Sequence, residues 1–375
     1  MDKFSHRVTF VFQSERAVYH KLFIKNLQYK EDIILMAETK KKGLGLPQTR
    51  GSFQVRGKVT GTQRDNFYTE KLTKTDKPWR SVAFGVQFDE NSTVFVSLNG
   101  MERDSVYFSK KEDNKTVTKE VPWKDRFTFA EKDYSLIGVN VGVTKVKDAK
   151  GNEVNDKKRL TDYDACKEIG DNLVDDKTVF VKGNIEFGSY NEKHTTKFIP
   201  SQVSLGKDID FEAEDFKALA DFTQVIVFTG ITPNEDKTRA TVAAKIVNYD
   251  SVEDAEFIIT DMNLARVFSK NLKPYSSIKV WGNINVEKNT EEVTTSDCWG
   301  AENNMDKVNA PTIRELVITG ADPETIDTTT YTEAEIDKAI EAAKASKNAE
   351  KDFGGSTEGW GSVANSDAAD DECGW

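Results

Sequence analysis

Residues 178–190, TVFVKGNIEFGSY, and residues 277–289, SIKVWGNINVEKN, lie far apart in the chain and read alike. Both follow the pattern apolar-x-Val-x-Gly-Asn-Ile, alternating with the period of two that marks a half-buried strand. Val179, Val181, Ile185 and Phe187 share one face of the first; Ile278, Val280, Ile284 and Val286 share one face of the second. A glycine inside a strand weakens an ordinary sheet and marks a sharp bend, as at a barrel corner. Each stretch is followed by another β-like run, HTTKFIPSQVSLG or TIRELVITGAD, so the pattern predicts a duplicated unit.

Working outward, the first unit opens with GSFQVRGKVTGTQ, continues through RSVAFGVQF and TVFVSLNG, and then carries a long charged insertion before the repeated strand. The second opens with TQVIVFTGITPN, continues through RATVAAKIVNY and AEFIIT, and places a short helix at DMNLARVFSKNL. Five short strands with a helix between the third and fourth is the order of the OB-fold, a small Greek-key barrel. The expected class is therefore mainly β: two OB-like Greek-key barrels, at 51–206 and 221–320, then a short C-terminal helix and a disordered acidic tail. Residues 1–50 form an N-terminal segment ending in a basic linker, KKKGLGLPQTRG, which lacks the Gly-Lys-Ser/Thr of a nucleotide-gripping loop.

The second unit, with YSSIKVWGNINV followed by IRELVITGADPE, and the ending DAADDECGW, resembles the single-stranded DNA-binding proteins. In that family a glycine-containing fourth strand precedes a final strand of this type, and an acidic tail with a terminal aromatic ends the chain. The length and the duplicated barrel are more similar to bacteriophage forms than to the short bacterial one, whose tail ends in Phe where this chain has Trp375. The resemblance implies non-sequence-specific binding and protection of single-stranded DNA in phage replication or recombination, in the cytoplasm of an infected bacterial host. It also implies replication proteins (a polymerase, helicase or primase) as partners of the tail.

Such a protein needs cations along the backbone path and flat rings on which bases stack. In FQVRGKVTG, Arg56 and Lys58 alternate with the apolar positions and so face away from the core. The following loop interleaves Arg64, Phe67, Tyr68, Lys71, Lys74, Lys77, Trp79 and Arg80, at the place where OB barrels extend a binding finger. Phe95 alternates out of phase with Val94, Val96 and Leu98, and Phe180 and Lys182 do so in the repeated strand. The competing reading is that Phe67 and Tyr68 cap the barrel and the loop is ordinary solvated surface. Lys279 and Trp281 hold the equivalent positions in the second unit, where Trp281 is expected to pack between the barrels because that unit is so acidic.

The charge distribution supports a polyanion partner for the first half. Residues 1–206 carry a net +7, residues 207–351 a net −12, and the last 24 residues a net −6. After the second barrel, Thr332 and Glu335 have capping-box spacing, and Ile336, Ala339, Ile340 and Ala343 share a face, so a helix is expected over 330–347. From residue 352 the chain is poor in aliphatic residues and rich in Gly, Ser and acid, a composition that does not order. A tethered polyanion competes with DNA for a basic groove. Once displaced, it offers Asp370, Asp371, Glu372 and Trp375 to a partner; the bland alternative is a solubilising tail.

Three scattered cysteines and three isolated histidines give no metal-ligand spacing, and no HExxH, GxSxG or Walker motif is present. No cofactor or metal is expected, and no apolar run approaches the roughly 20 residues of a membrane span. The expectation is a binding protein and not an enzyme, with homo-oligomerisation left open. Two other classes stay in view: an OB-fold protein-interaction scaffold that touches no DNA, and a metal-dependent nuclease built from distant carboxylates.

Overall fold

The computed structural model describes residues 43–113, 115–190, 193–288 and 312–352. The chain divides into two compact units, one of Thr49–Ile246 with Glu253–Thr332, the other of Met1–Gln48, Val247–Val252 and Glu333–Trp375. The first of these holds two barrels.

The first barrel begins with β1 (Gly51–Thr60), β2 (Tyr68–Leu72), β3 (Pro78–Gln87) and β4 (Thr93–Met101). An insertion follows: β5 (Ser105–Glu112), β6 (Lys115–Pro122), β7 (Ser135–Leu136), β8 (Val139–Gly142), β9 (Lys145–Lys147), β10 (Glu153–Asn155) and β11 (Lys158–Leu160). Helix α1 (Asp162–Asn172), β12 (Thr178–Tyr190) and β13 (Lys193–Leu205) complete it. The second barrel is β14 (Leu219–Pro233), β15 (Ala240–Val247), β16 (Val252–Ile259), α2 (Met262–Asn271), β17 (Ser276–Lys288) and β18 (Thr312–Asp327).

Both sheets close in the same way. In the first, β1 pairs with β3, β3 with β4, β4 runs parallel to β13, β13 pairs with β12, and β12 returns to β1. In the second, β14 pairs with β15, β15 with β16, β16 runs parallel to β18, β18 pairs with β17, and β17 returns to β14. This is the OB order twice over, with a helix before the fourth strand of each barrel. Each helix is started by a side-chain cap that satisfies an orphan N–H: Thr161 accepts from the Asp164 amide at 3.2 Å, and Asp261 from the Asn263 amide at 2.8 Å. Ala165, Cys166 and Ile169 of α1, and Ala265 and Phe268 of α2, are then buried in the core with the strands.

The repeated glycines sit where the fourth strands bend. The β12–β13 register shifts between Lys182 and Gly183, and the β17–β18 register between Trp281 and Gly282. A Cβ on Gly183 would lie 1.9 Å from the Ile199 carbonyl oxygen, and one on Gly282 would lie 1.8 Å from that of Val317. Only glycine lets the two backbones approach so closely.

The barrels join through their first strands. β1 and β14 run antiparallel, from Gly51 opposite Gln224 to Arg56 opposite Leu219. Across β12, β1, β14 and β17 one row reads Gly183, Phe53, Phe222, Gly282, so a local two-fold passes between two fully buried phenylalanines. One continuous hydrophobic core spans both barrels, and Phe222 and Phe187 both reach Phe257 of β16.

The charged insertion is folded, and the first barrel has a helix that the sequence reading did not assign. Strands β6, β5 and β7 form a separate small sheet over Val106, Phe108, Val121, Trp123 and Leu136, closed by Tyr163 of α1. β8 and β11 extend the main sheet beside β13, and β9 and β10 form a two-stranded ribbon. In the other unit, α3 (Glu333–Asp352) buries Ile336, Ala339 and Ala343 along one side. The tail residues Asp370, Asp371, Glu372 and Trp375, and the segment before residue 43, lie outside the described residues.

Candidate nucleic-acid interface

Alternation along β4 buries Val94, Val96 and Leu98 and turns Phe95 outward, where it is 38% exposed. Phe95 lies opposite Gly85 of β3, where an added Cβ would be 3.4 Å from the ring and closer still to Thr60 and Thr93. Two guanidinium groups approach that ring. Arg64, in the turn after β1, stands 5.6 Å from the ring centroid. Arg314, at the start of β18 in the second barrel, stands 5.4 Å away. The β17–β18 ribbon reaches its position because β17 packs against β4.

Each contact is a cation–π pair in its own right, but two like charges around one ring repel each other unless something negative lies between them. Among the described residues neither guanidinium is ion-paired with a carboxylate. Burial lowers the pKa of Arg314, and no acid offsets that shift. A partly exposed ring with two guanidinium forks over it can offer cations to a phosphate, because arginine pairs with phosphate oxygens in a bidentate way, and a ring to a base that displaces one of them.

The YorF family model matches residues 109–355, more than half of the chain. The chain belongs to the YorF family. Among solved structures it is similar to the wild-type single-stranded DNA binding protein from Thermus aquaticus, at 12% identity over 74% of this chain and 93% of that one, with a TM-score of 0.35. A deletion mutant of the same protein gives 12%, 73%, 94% and 0.34. At that similarity neither says what this chain binds. No curated protein matches it.

In this YorF-family chain the residues expected at the interface separate into two groups. Phe67, Tyr68 and Arg80 are corrections, because they hold the barrel together. Phe67 is 7% exposed and belongs to the core. The Tyr68 ring lies on Gly170 of α1, where an added Cβ would be 2.6 Å from it, and its hydroxyl donates to Glu70 at 2.8 Å. Burial, then that hydrogen bond, push the Tyr68 hydroxyl pKa up. Arg80 donates to Glu70 at 3.0 Å and lies 3.9 Å over the Tyr163 ring. Hydrogen bonds from Arg80 and Tyr68 hold the Glu70 carboxyl below its ordinary range. The β2–β3 hairpin is thus fastened onto α1, a helix the sequence reading lacked, which is why its rings found a core to enter.

Arg56 and Lys58 do alternate with the core, yet both are partly covered by the linker to β14. Arg56 donates to the Lys217 carbonyl at 3.5 Å, and the Lys58 ammonium lies 4.9 Å over Phe211. Lys77 is paired with Asp104 at 3.3 Å. Lys71 lies 4.7 Å over Trp79, a half-buried ring on the outer side of the hairpin, and Lys74 is exposed at its turn. Phe180 and Lys182 are on the outer face of β12, half-buried and exposed respectively. The structure therefore brings Phe95 and Arg64 together and leaves the remaining outer residues spread around the barrel.

Arg314 was missed. It sits in a strand of the acidic half, and only the crossing of the β17–β18 ribbon onto β4 brings it near Phe95. Trp281 is a further correction: it does not pack between the barrels but lies across Gly320 of the neighbouring strand, 42% exposed. The second barrel's own counterpart of the Phe95 face has diverged in charge. Counting from the parallel pairs Val96–Phe198 and Ile258–Val317, the position equivalent to Phe95 is Glu256, exposed beside Asp254. Phosphate is repelled there.

Proposed function

We propose that this protein binds single-stranded DNA without reading its sequence, on the outer face of the first barrel, and does no chemistry on it. The observation that carries the reading is Phe95, 38% exposed on β4 with the Arg64 and Arg314 guanidiniums over its ring and no carboxylate paired to either among the described residues. Arg314 makes the site composite: the second barrel, acidic at its own equivalent face, lends one cation to the first. The finer reading is a phage-type protein that protects and organises strands during replication or recombination in the host cytoplasm. In it the acidic tail, through Asp370, Asp371, Glu372 and Trp375, recruits a polymerase, helicase or primase. It is supported by the residue pattern of the repeated strands and by the six acids after residue 351.

The test is anisotropy of a labelled dT oligomer titrated with the full chain and with Phe95→Ala, Arg64→Ala and Arg314→Ala, with duplex as the control. The loss on Phe95→Ala should be about tenfold, within the roughly 1–3 kcal/mol of a stacked base. Each arginine variant should lose a similar factor, since a charge-assisted hydrogen bond is worth about 1.5–3 kcal/mol. No single-strand binding by the wild-type chain would leave a protein-interaction scaffold. Metal-dependent cleavage of the oligomer would mean a nuclease instead.

A further inference from the structure

The strand pairing that joins the barrels builds a second outer face that belongs to neither barrel alone. Across β12, β1, β14 and β17 the outward positions form rows: Lys182, Gln54, Asp221 and Asn283 in one, Asn184, Ser52, Thr223 and Trp281 in the next. The local two-fold between Phe53 and Phe222 relates these rows end for end. It brings Phe180 and Lys182, the two outward residues before the Gly-Asn of β12, onto Lys279 and Trp281 of β17. Each corner therefore carries one ring and one lysine, in exchanged order.

Three strand spacings of about 4.8 Å put β12 and β17 roughly 14 Å apart, and the register offsets Lys182 from Trp281 by two further residues, about 7 Å, along the strands. Between them lie Ser52, Gln54, Thr223 and Asp221, whose carboxylate is held by the side-chain amides of Gln54 and Asn283, each at 3.1 Å; Arg56 and Leu219 border this floor beside Phe180. Asp322 of β18 lies opposite Lys279 in register, beyond the fourth strand. The Trp281 ring packs against Gly320, where a Cβ would be 2.6 Å from it. An indole that is held by a glycine and still 42% exposed is a preformed platform. This is not the Phe95 site, because Arg314 pairs with the buried Val286 on the inward side of the β17–β18 ribbon while Trp281 is on its outer side.

We propose that this joint face is a second seat for single-stranded nucleic acid, with Trp281 as its stacking ring and Lys279 and Lys182 as its phosphate contacts. The proposal rests on the reading of the chain as a single-strand binder. Exposed rings and lysines around a polar floor whose carboxylate is already held by two amides suit a strand that brings its own charge, and every base offers a face to stack. The second barrel then contributes through the sheet it shares and not through its acidic β16 face. A strand long enough to use both seats is held by both barrels.

The experiment compares two oligomers on the full chain: one of about eight nucleotides, within the roughly 4–16 covered by a single OB barrel, and one of about 30 that exceeds it. Trp281→Ala combined with Lys279→Ala should weaken the long oligomer about tenfold and leave the short one, held at Phe95, unchanged; Trp281→Phe should recover most of the loss. Phe95→Ala should weaken both. Unchanged long-oligomer affinity in the double variant overturns the second seat while the binding reading stands. So does sedimentation showing that the double variant turns a dimer into a monomer, since the face would then be an interface between copies. If the wild-type chain binds neither oligomer, the binding reading itself fails, and this proposal with it.

Discussion

Gly183 and Gly282 occupy the positions where a single methyl group would do the most damage. Each lies at a register shift in the fourth strand of its barrel, with a partner carbonyl where a Cβ would go. Gly183→Ala or Gly282→Ala forces those backbones apart, and overpacking of this kind costs about 3 kcal/mol. For a body of this size that lowers Tm by roughly 5–10 °C, which calorimetry would read. Gly230→Ala is the control: nothing lies within 4 Å of its Cβ position, so its change should stay within about 0.5 kcal/mol. Equal losses at all three sites would show that the bend does not depend on glycine. The glycines were legible in the sequence because they interrupt an otherwise alternating strand twice. The fate of Tyr68 was not, because its ring lies on Gly170 of α1, whose few apolar residues, Ala165, Cys166 and Ile169, are scattered through a charged stretch.

At the scale of elements, the insertion between β4 and β12 shows what hydrophobic pattern cannot report. The alternation Val106, Phe108 and the lone Val121 and Trp123 are too sparse to announce a sheet, and their core is too small to stand by itself. The sheet is fastened to the barrel by Arg126, whose Nε and Nη2 reach the two carboxylate oxygens of Asp164 at 2.8 and 3.1 Å. Asp164 also accepts from the Thr161 hydroxyl at 2.7 Å, so the helix cap and the arm share one carboxylate. Both side chains are largely buried, at 15% and 11% exposure. Arg126→Ala should release the arm at a cost of about 2 kcal/mol, between an exposed pair and a fully buried one. Hydrogen exchange in β5 and β6 should then quicken by more than tenfold while β1 and β12 keep their protection. Arg126→Lys should fall between, having lost the two-pronged geometry. Uniform loss of protection across the barrels would mean that the arm is part of their cooperative core.

For the whole molecule, duplication followed by divergence in charge is the organising fact. The two barrels keep the same strand order, helix and bent fourth strand, yet residues 51–206 carry 26 bases against 24 acids, a net +2, and residues 221–320 carry 10 against 15, a net −5. Sequence made that asymmetry plain, but the strand pairing between β1 and β14, and with it the arrival of Arg314 at Phe95, is long-range and left no local mark. If Arg64, Arg314, Lys182 and Lys279 each neutralise one phosphate, log K should fall with log salt with a slope of about −3, since each contact contributes roughly −0.7 on a single strand. Removing Arg64 and Arg314 together should flatten that slope by about 1.4. If the acidic tail acts as a tethered polyanion, it enters the same balance with opposite sign, competing for the cations that a bound strand would need. A chain ending at Lys351 should therefore bind dT oligomers more tightly than the full chain at low salt. The two should converge as salt rises toward about 1 M, where screening shrinks the reach of charge to roughly 3 Å. An advantage for the shortened chain that persists at high salt would mean that the tail blocks the site by contact and not by charge. No advantage at any salt would detach the tail from the binding face and leave it to a protein partner.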